Sequence, residues 1–159
     1  ALSLRGSQSK VEPGHPAAVG PGKRPRLTPA PALVLKDGQP VMALGGYGGD
    51  HIPQGTLQIF LNAVEFGLDP QEAVEEPRVY SYNFPNSSYP STYLPGVMRA
   101  EGRISAEVIE ALRQRGHSVD RLPDWFEGAC LYGMIIRHPH SGVLQGGADP
   151  RGEAYAVGY

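Results

Sequence analysis

The sequence predicts an α+β fold with mainly antiparallel strands. Three observations carry this. Two β-type runs, Ala32 to Leu35 and Val41 to Leu44, flank Lys36-Asp37-Gly38, and Asp-Gly between such runs is a strong hairpin signal. An apolar helical period follows between Leu57 and Phe66. Hairpins then alternate with helices out of strict βαβ order, and no internal repeat is evident.

Composition narrows the class. The 159 residues suffice for one domain with a core. A formal net charge of −2 gives no sign of a nucleic-acid partner. No run of 18 apolar residues marks a membrane-spanning helix, and the opening "ALSLRGSQSK" does not read as a signal peptide. The segment carries no address for a compartment. Cys130 is the single cysteine, so no internal disulfide is expected. The 21 glycines and 16 prolines are roughly double ordinary usage. The chain starts at Ala1 rather than methionine, which is read as the mark of a processed or trimmed product.

The elements follow in order. "ALSL" reads as a short strand. Val11 to Pro31 holds six prolines and reads as an extended loop, with a disordered linker as the alternative. After the hairpin, four glycines at 45, 46, 48 and 49 precede a helix whose Leu57, Phe60, Leu61 and Val64 form one apolar stripe, widened by Ile59, Ala63 and Phe66. Gly67 is its stop. Asp69-Pro70-Gln71-Glu72 starts a second helix with a capping box, ended by Pro77. "RVYSYNF" reads as a strand, and Pro85 to Pro95 as an ordered surface loop. Ser105 caps a third helix with Val108, Ile109 and Leu112 inward and Gly116 closing it. "ACLYGMIIRHP" and "GVLQGG" pair across a turn at His138 to Gly142, and "AYAVGY" reads as the last strand.

Three readings compete for the glycines. They permit a tight turn; they cradle phosphate at a helix N-terminus; or they aim backbone N–H groups at a developing negative charge. The phosphate reading lacks both G-x-G-x-x-G and Gly-Lys-Ser/Thr. The oxyanion reading needs a nucleophile, yet no G-x-S-x-G elbow is present and Cys130 reads as core. His51 and Asp50 lack a ligand-spaced partner, and His138 and His140 read as solvated turn residues, so no metal is expected. Asn86-Ser87-Ser88 matches a glycosylation acceptor in form only.

"PGKRPRLTPAPALVLKDGQPVMALGGYGGD", "QIFLNAVEFGLDPQEAVEEPRVY" and the terminal "GADPRGEAYAVGY" resemble the γ-glutamyltranspeptidase family from about Arg5 to Tyr159. The resemblance is strongest at Gly22-Lys23-Arg24-Pro25, Gly48-Gly49, Glu72-Ala73, Pro77-Arg78 and Asp149-Pro150-Arg151. It implies a portion of a four-layer αββα N-terminal nucleophile hydrolase fold, in which residues 1–159 form the C-terminal portion of a small subunit. It implies a precursor that cuts itself, and a new N-terminal threonine that attacks a γ-glutamyl amide with its own α-amine as base. The matching threonine lies upstream of Ala1, so the partners expected are the large subunit, the upstream part of the small subunit and a small amide or peptide substrate. The isolated chain is expected to be inactive, and no cofactor is implied.

The resemblance also implies site residues. Gly48 and Gly49 carry the oxyanion hole. Arg5, Gln8, Leu27 and Thr28 border the substrate, with Arg24 fastening the nearby loop, and Asp149 and Arg151 pair structurally. Where characterised transpeptidases have an acid to hold the substrate's α-amino group, this chain has neutral Gln8 beside Arg5. Where they have Ser-Ser, it has Leu27 and Thr28. A cation there suits a carboxylate better than an ammonium; a surface pair between Arg5 and Glu12 is the plainer alternative. The expected function is therefore γ-glutamyltransferase-like acyl transfer or hydrolysis. The alternatives are an acylase-like amidohydrolase of a substrate other than glutathione, and a non-catalytic remnant of the fold.

Overall fold

The computed structural model describes residues 5–126, 128 and 130–158. The strand expected at "ALSL" and the final Tyr159 lie outside the described residues, and Arg5–Gln8 forms a 3₁₀ turn.

Strands β1 (Ala32–Lys36) and β2 (Gln39–Tyr47) form the expected hairpin. Asp37 and Gly38 both have positive φ, 52° and 76°, as a two-residue type I′ turn requires. The glycine cluster is split, contrary to expectation. Gly45 and Gly46 belong to β2, paired with Gly133 and Tyr132, and only Gly48 and Gly49 lie beyond the strand. The ladder to the neighbouring strand, not glycine's own preference, sets that boundary.

The neighbour is β6 (Leu131–Arg137), which turns at His138–Gly142 into β7 (Leu144–Ala148). The four strands run in the order β1-β2-β6-β7, every pair antiparallel. Side chains alternate across the sheet. Met42, Leu44, Tyr132 and Met134 enter a core with Ile52, Ile59, Ala73, Val74 and Cys130. The opposite face presents Leu33, Leu35, Tyr47, Ile135 and Leu144, all exposed. The tail after Arg151 is irregular rather than the expected strand: residues 154–158 join no ladder.

Helix α1 (Ile52–Val64) starts immediately after the bend. Its buried positions are Ile52, Gly55 and Ile59, while Leu57 and Val64 are 58% and 51% exposed. The inward stripe is thus rotated from the one expected. The helix is apolar on two sides, and periodicity alone does not say which side the sheet takes. Gly67, at φ 71°, stops the chain as expected. Helix α2 (Pro70–Glu75) carries the expected capping box: Asp69 Oδ1 accepts from Gln71 N and Glu72 N, and Asp69 N donates to Glu72 Oε2.

A second, three-stranded sheet holds β3 (Val79–Ser81), β4 (Val97–Ala100) and β5 (Ser118–Arg121), with α3 (Ala106–Gln114) crossing between β4 and β5. β3 is shorter than the expected "RVYSYNF": the Arg78 side chain enters an ionic network, and past Ser81 a single bond, Tyr82 N to Val97 O at 3.0 Å, continues the pairing to β4. β3 and β4 are antiparallel; β4 and β5 are parallel. The sequence reading did not find β4 and β5, whose four residues each include Arg99, Asp120 or Arg121 and form no apolar run. Ala100, Ile109 and Val119 make the small core here. Ser105 caps α3 as expected, but Val108 is 50% exposed rather than inward.

Candidate functional site

The bend between β2 and α1 is built by close approach. Gly48 has φ 137°, and a Cβ there would lie 2.6 Å from Cys130 Cα and 2.8 Å from its Sγ. No other residue fits without moving main chain. Gly49, at φ 93°, faces open space, so its conformation rather than crowding selects glycine. Gly49 O accepts from Ile52 N at 3.2 Å, closing the bend onto the start of α1. Neither N–H of Gly48 and Gly49 donates to another described residue, and both glycines are exposed. Two main-chain donors therefore stand beyond the end of the ladder at the head of a 13-residue helix. The positive end of a helix dipole favours negative charge at such a position.

The floor under the bend is buried. Cys130 is fully buried, and burial pushes its thiol pKa up, so it is a core residue as expected and holds no reactive thiolate. Tyr132 Oη donates toward His51 O and Ile52 O, at 3.1 and 3.2 Å, and burial raises its pKa far above the usual tyrosine range. The His51 ring meets Tyr80 and Tyr82 edge-on, with centroids 4.9 and 4.8 Å away. Burial lowers its pKa, Asp50 opposing and Arg99 adding to the effect.

Beneath this floor four buried charges, Arg78, Asp149, Arg151 and Glu101, form one network, with the partly exposed Arg103 3.6 Å from Glu101 at its edge. Arg78 donates to Asp149 Oδ2, Val74 O and Cys130 O. Arg151 donates to Asp149 Oδ1, to both oxygens of Glu101, and to the carbonyls of Val74, Glu75 and Glu76. These are the carbonyls that the end of α2 leaves unpaired. The expected Asp149–Arg151 pair is present. Arg78 and Glu101 complete it, and a Pro-Arg pair and an isolated acid gave no sequence signal of that.

Of the expected substrate residues, three are brought together. Arg5 Nη1 donates to Gln8 Oε1 at 3.0 Å and to Thr28 Oγ1 at 2.8 Å. Gln8 Nε2 donates to Ser87 Oγ at 3.0 Å, and Ser87 N donates to Asp50 Oδ2 at 2.6 Å. A chain of hydrogen bonds thus runs from Thr28 through Arg5, Gln8 and Ser87 to Asp50, next to Gly49. Leu27 is 62% exposed and makes no bond in this chain. Asp50 and Ser87 are the residues the sequence reading missed here. Arg24 makes no hydrogen bond or ion pair with another described residue, whereas Lys23 Nζ donates to Pro16 O and Ala18 O. No group of three or more His, Cys, Asp or Glu suited to a metal ion occurs among the described residues, and His138 and His140 are exposed in their turn.

Several known proteins are similar to this chain. The chain is 36% identical over 156 residues to an oxamate amidohydrolase proenzyme of Klebsiella pneumoniae, covering 98% of this chain and 28% of that protein. It is 34% identical over 157 residues to a glutathione hydrolase-like proenzyme of Bacillus subtilis, covering 99% and 29%. The solved cephalosporin acylase of Bacillus halodurans superposes with a TM-score of 0.78 at 33% identity, over 92% of this chain and 25% of that one. Solved γ-glutamyltranspeptidases of Helicobacter pylori and Pseudomonas nitroreducens share the fold as well, with TM-scores of 0.74 and 0.77 at 23% and 22% identity. The chain spans under a third of the length of these first curated relatives. The gamma-glutamyltranspeptidase family model matches residues 4–159, and the chain belongs to that family.

Proposed function

We propose that this chain supplies the oxyanion hole and one wall of the acyl pocket in an amide-cleaving acyl transferase or hydrolase. The carrying observation is the Gly48–Gly49 bend, whose two amides donate to no other described residue and sit at the head of α1. In this reading the attacking threonine comes from protein outside these 159 residues, as do the remaining subunit contacts. Its hydroxyl oxygen bonds to the amide carbon while its proton passes to the threonine's own α-amine. The carbonyl oxygen becomes an oxyanion held by the two main-chain N–H groups. The C–N bond then breaks, the leaving amine takes the proton, and an ester remains. Water or an amine acceptor resolves the ester by the same steps in reverse. The donors are fixed before reaction, so no reorganisation is needed when charge develops.

The test uses the full-length, processed protein. An acylating glutamine analogue should add one mass shift, on a threonine outside these residues, and Gly49→Ala, which keeps the N–H but strains the φ of 93° that aims it, should slow acylation. Labelling on a residue of this chain, or a Gly49→Ala protein that acylates at the wild-type rate, overturns the reading.

A second reading concerns the acyl group. In this reading Arg5, joined to Gln8 and Thr28 by hydrogen bonds, borders the acyl group, and a guanidinium there suits an amide whose carboxylate lies close to the scissile carbonyl. The Klebsiella relative is called an oxamate amidohydrolase, and oxamate has that shape. Hydrolysis of oxamate in preference to a γ-glutamyl anilide supports this; the opposite preference returns the chain to the glutathione-hydrolase class.

A further inference from the structure

We propose that Asp50 and Ser87 are positioning residues of this site, Asp50 for the oxyanion bend and Ser87 for the charge-selecting pair Gln8 and Arg5. The inference rests on reading Gly48–Gly49 as the oxyanion bend.

Helix capping does not explain Asp50. The N-cap of α1 is His51, with no side-chain cap bond, and the Asp50 carboxylate is turned to another segment, accepting from Ser87 N at 2.6 Å. A carboxylate on a main-chain N–H is a strong, short bond. It ties the residue next to Gly49 to a loop 37 positions away in sequence. That loop has its own internal bonds, Asn86 N to Thr92 O and Ser91 N to Ser88 O. It also grips the substrate-side segment, through Tyr89 N to Ser7 O and Lys10 Nζ to Ser91 Oγ. The bend is therefore braced against a structured loop rather than against solvent.

Ser87 fixes the Gln8 amide. Gln8 Oε1 accepts from the Arg5 guanidinium, which only donates, so its NH₂ must face the other way. There it finds Ser87 Oγ. In this orientation the Gln8 oxygen is engaged by Arg5 rather than free to accept from a substrate ammonium. Removing the Ser87 hydroxyl frees the amide to rotate and loosens Arg5. The two residues should thus act on different kinetic terms. Asp50 supports an interaction made in the transition state, whereas Ser87 supports ground-state recognition of charge.

The experiment is steady-state kinetics of the full-length, processed protein with oxamate and with a γ-glutamyl anilide, together with the rate of acyl labelling. Asp50→Ala should lower kcat about tenfold with KM changed by less than about threefold, and Asp50→Asn, which keeps an acceptor, should restore most of kcat. Ser87→Ala leaves the Asp50 bond intact, so it should raise KM for the preferred substrate about fivefold at nearly constant kcat. Asp50→Ala at wild-type kcat, or Ser87→Ala at wild-type KM for both substrates, overturns the proposal. If Asp50→Ala does not fold, the Ser87→Ala split decides. A wild-type protein that takes no acyl label defeats the oxyanion reading itself; a labelled wild type with a slowed Gly49→Ala but unaffected Asp50 and Ser87 variants defeats the positioning role alone.

Discussion

Arg78 Nη2 meets Asp149 Oδ2 at 2.6 Å with both side chains out of solvent. Asp149 also accepts from the main-chain N–H groups of Tyr132 and Arg151 and from Arg151 Nη1. Two guanidiniums and two carboxylates, those of Arg78, Arg151, Glu101 and Asp149, balance at the centre of the set, and the partly exposed Arg103 adds a third cation 3.6 Å from Glu101 Oε2. Such a set is costly to desolvate, so its value lies in joining α2, β6 and the tail in one geometry rather than in large net stabilisation. Through Cys130 O and Tyr132 it also forms the base of the Gly48 bend.

Removing one partner strands the others. Asp149→Ala leaves Arg78 and Arg151 buried with only Glu101, which Arg103 also engages, to balance them, and should cost about 3–5 kcal/mol. Asp149→Asn keeps acceptor and shape and should cost less. Denaturant midpoints of the full-length variants measure this. Equal and small losses for both would mean that the set contributes little through charge.

The two glycines of the bend should respond differently to alanine. At Gly48 the new methyl meets Cys130 main chain at 2.6 Å, and φ 137° is strained for any L side chain. Gly48→Ala should therefore destabilise the fold by several kcal/mol, on the order of other overpacked or strained sites. At Gly49 there is room, and only the φ of 93° is penalised, by about 1–2 kcal/mol. Thermal melts of both variants check the order; Gly49→Ala as the less stable protein would contradict it.

These glycines show where sequence reading succeeds and where it stops. Local chemistry was legible. Asp37-Gly38 sets the hairpin, Asp69 with Glu72 caps α2 and Ser105 caps α3, because each signal lies within a few residues. The choice between faces was not. Leu57 and Val64 are as apolar as Ile52 and Ile59, and only packing against β2 and β6 separates them. Arg5, Gln8 and Thr28 were reached by resemblance, whereas Asp50 and Ser87 meet across 37 positions and nothing local announces the bond.

Cys130 should resist thiol reagents in the folded protein. It is fully buried beneath Gly48, and its pKa is raised by burial despite hydrogen bonding by Tyr132 and the nearby Arg78 charge. Since the thiolate is the reactive form, alkylation at pH 8 should proceed only as fast as the structure opens, and it should become rapid in denaturant. Labelling with iodoacetamide followed by mass spectrometry tests this. Fast modification of the native protein would place the thiol at a reactive surface.

His51 should make stability fall as pH is lowered. Its pKa lies below the ordinary 6.5, because burial against Tyr80 and Tyr82 penalises the imidazolium and Arg99 repels it, while Asp50 partly compensates. Between the folded pKa and 6.5 the unfolded chain binds more protons than the folded one, so folding stability rises with pH across that window. The neutral ring's contribution is complete above about 6.5 and is lost as pH falls through the window. His51→Phe keeps the edge contacts and removes the proton, so its stability should change less between pH 7 and pH 5 than that of the wild type. Asp50→Asn removes the compensating charge, should lower the His51 pKa further, and should steepen the wild-type slope. Denaturation at stepped pH for the three proteins, compared as differences so that other titrating groups cancel, measures each effect. Parallel curves for wild type and His51→Phe would show that the ring titrates alike in both states and does not feel its burial.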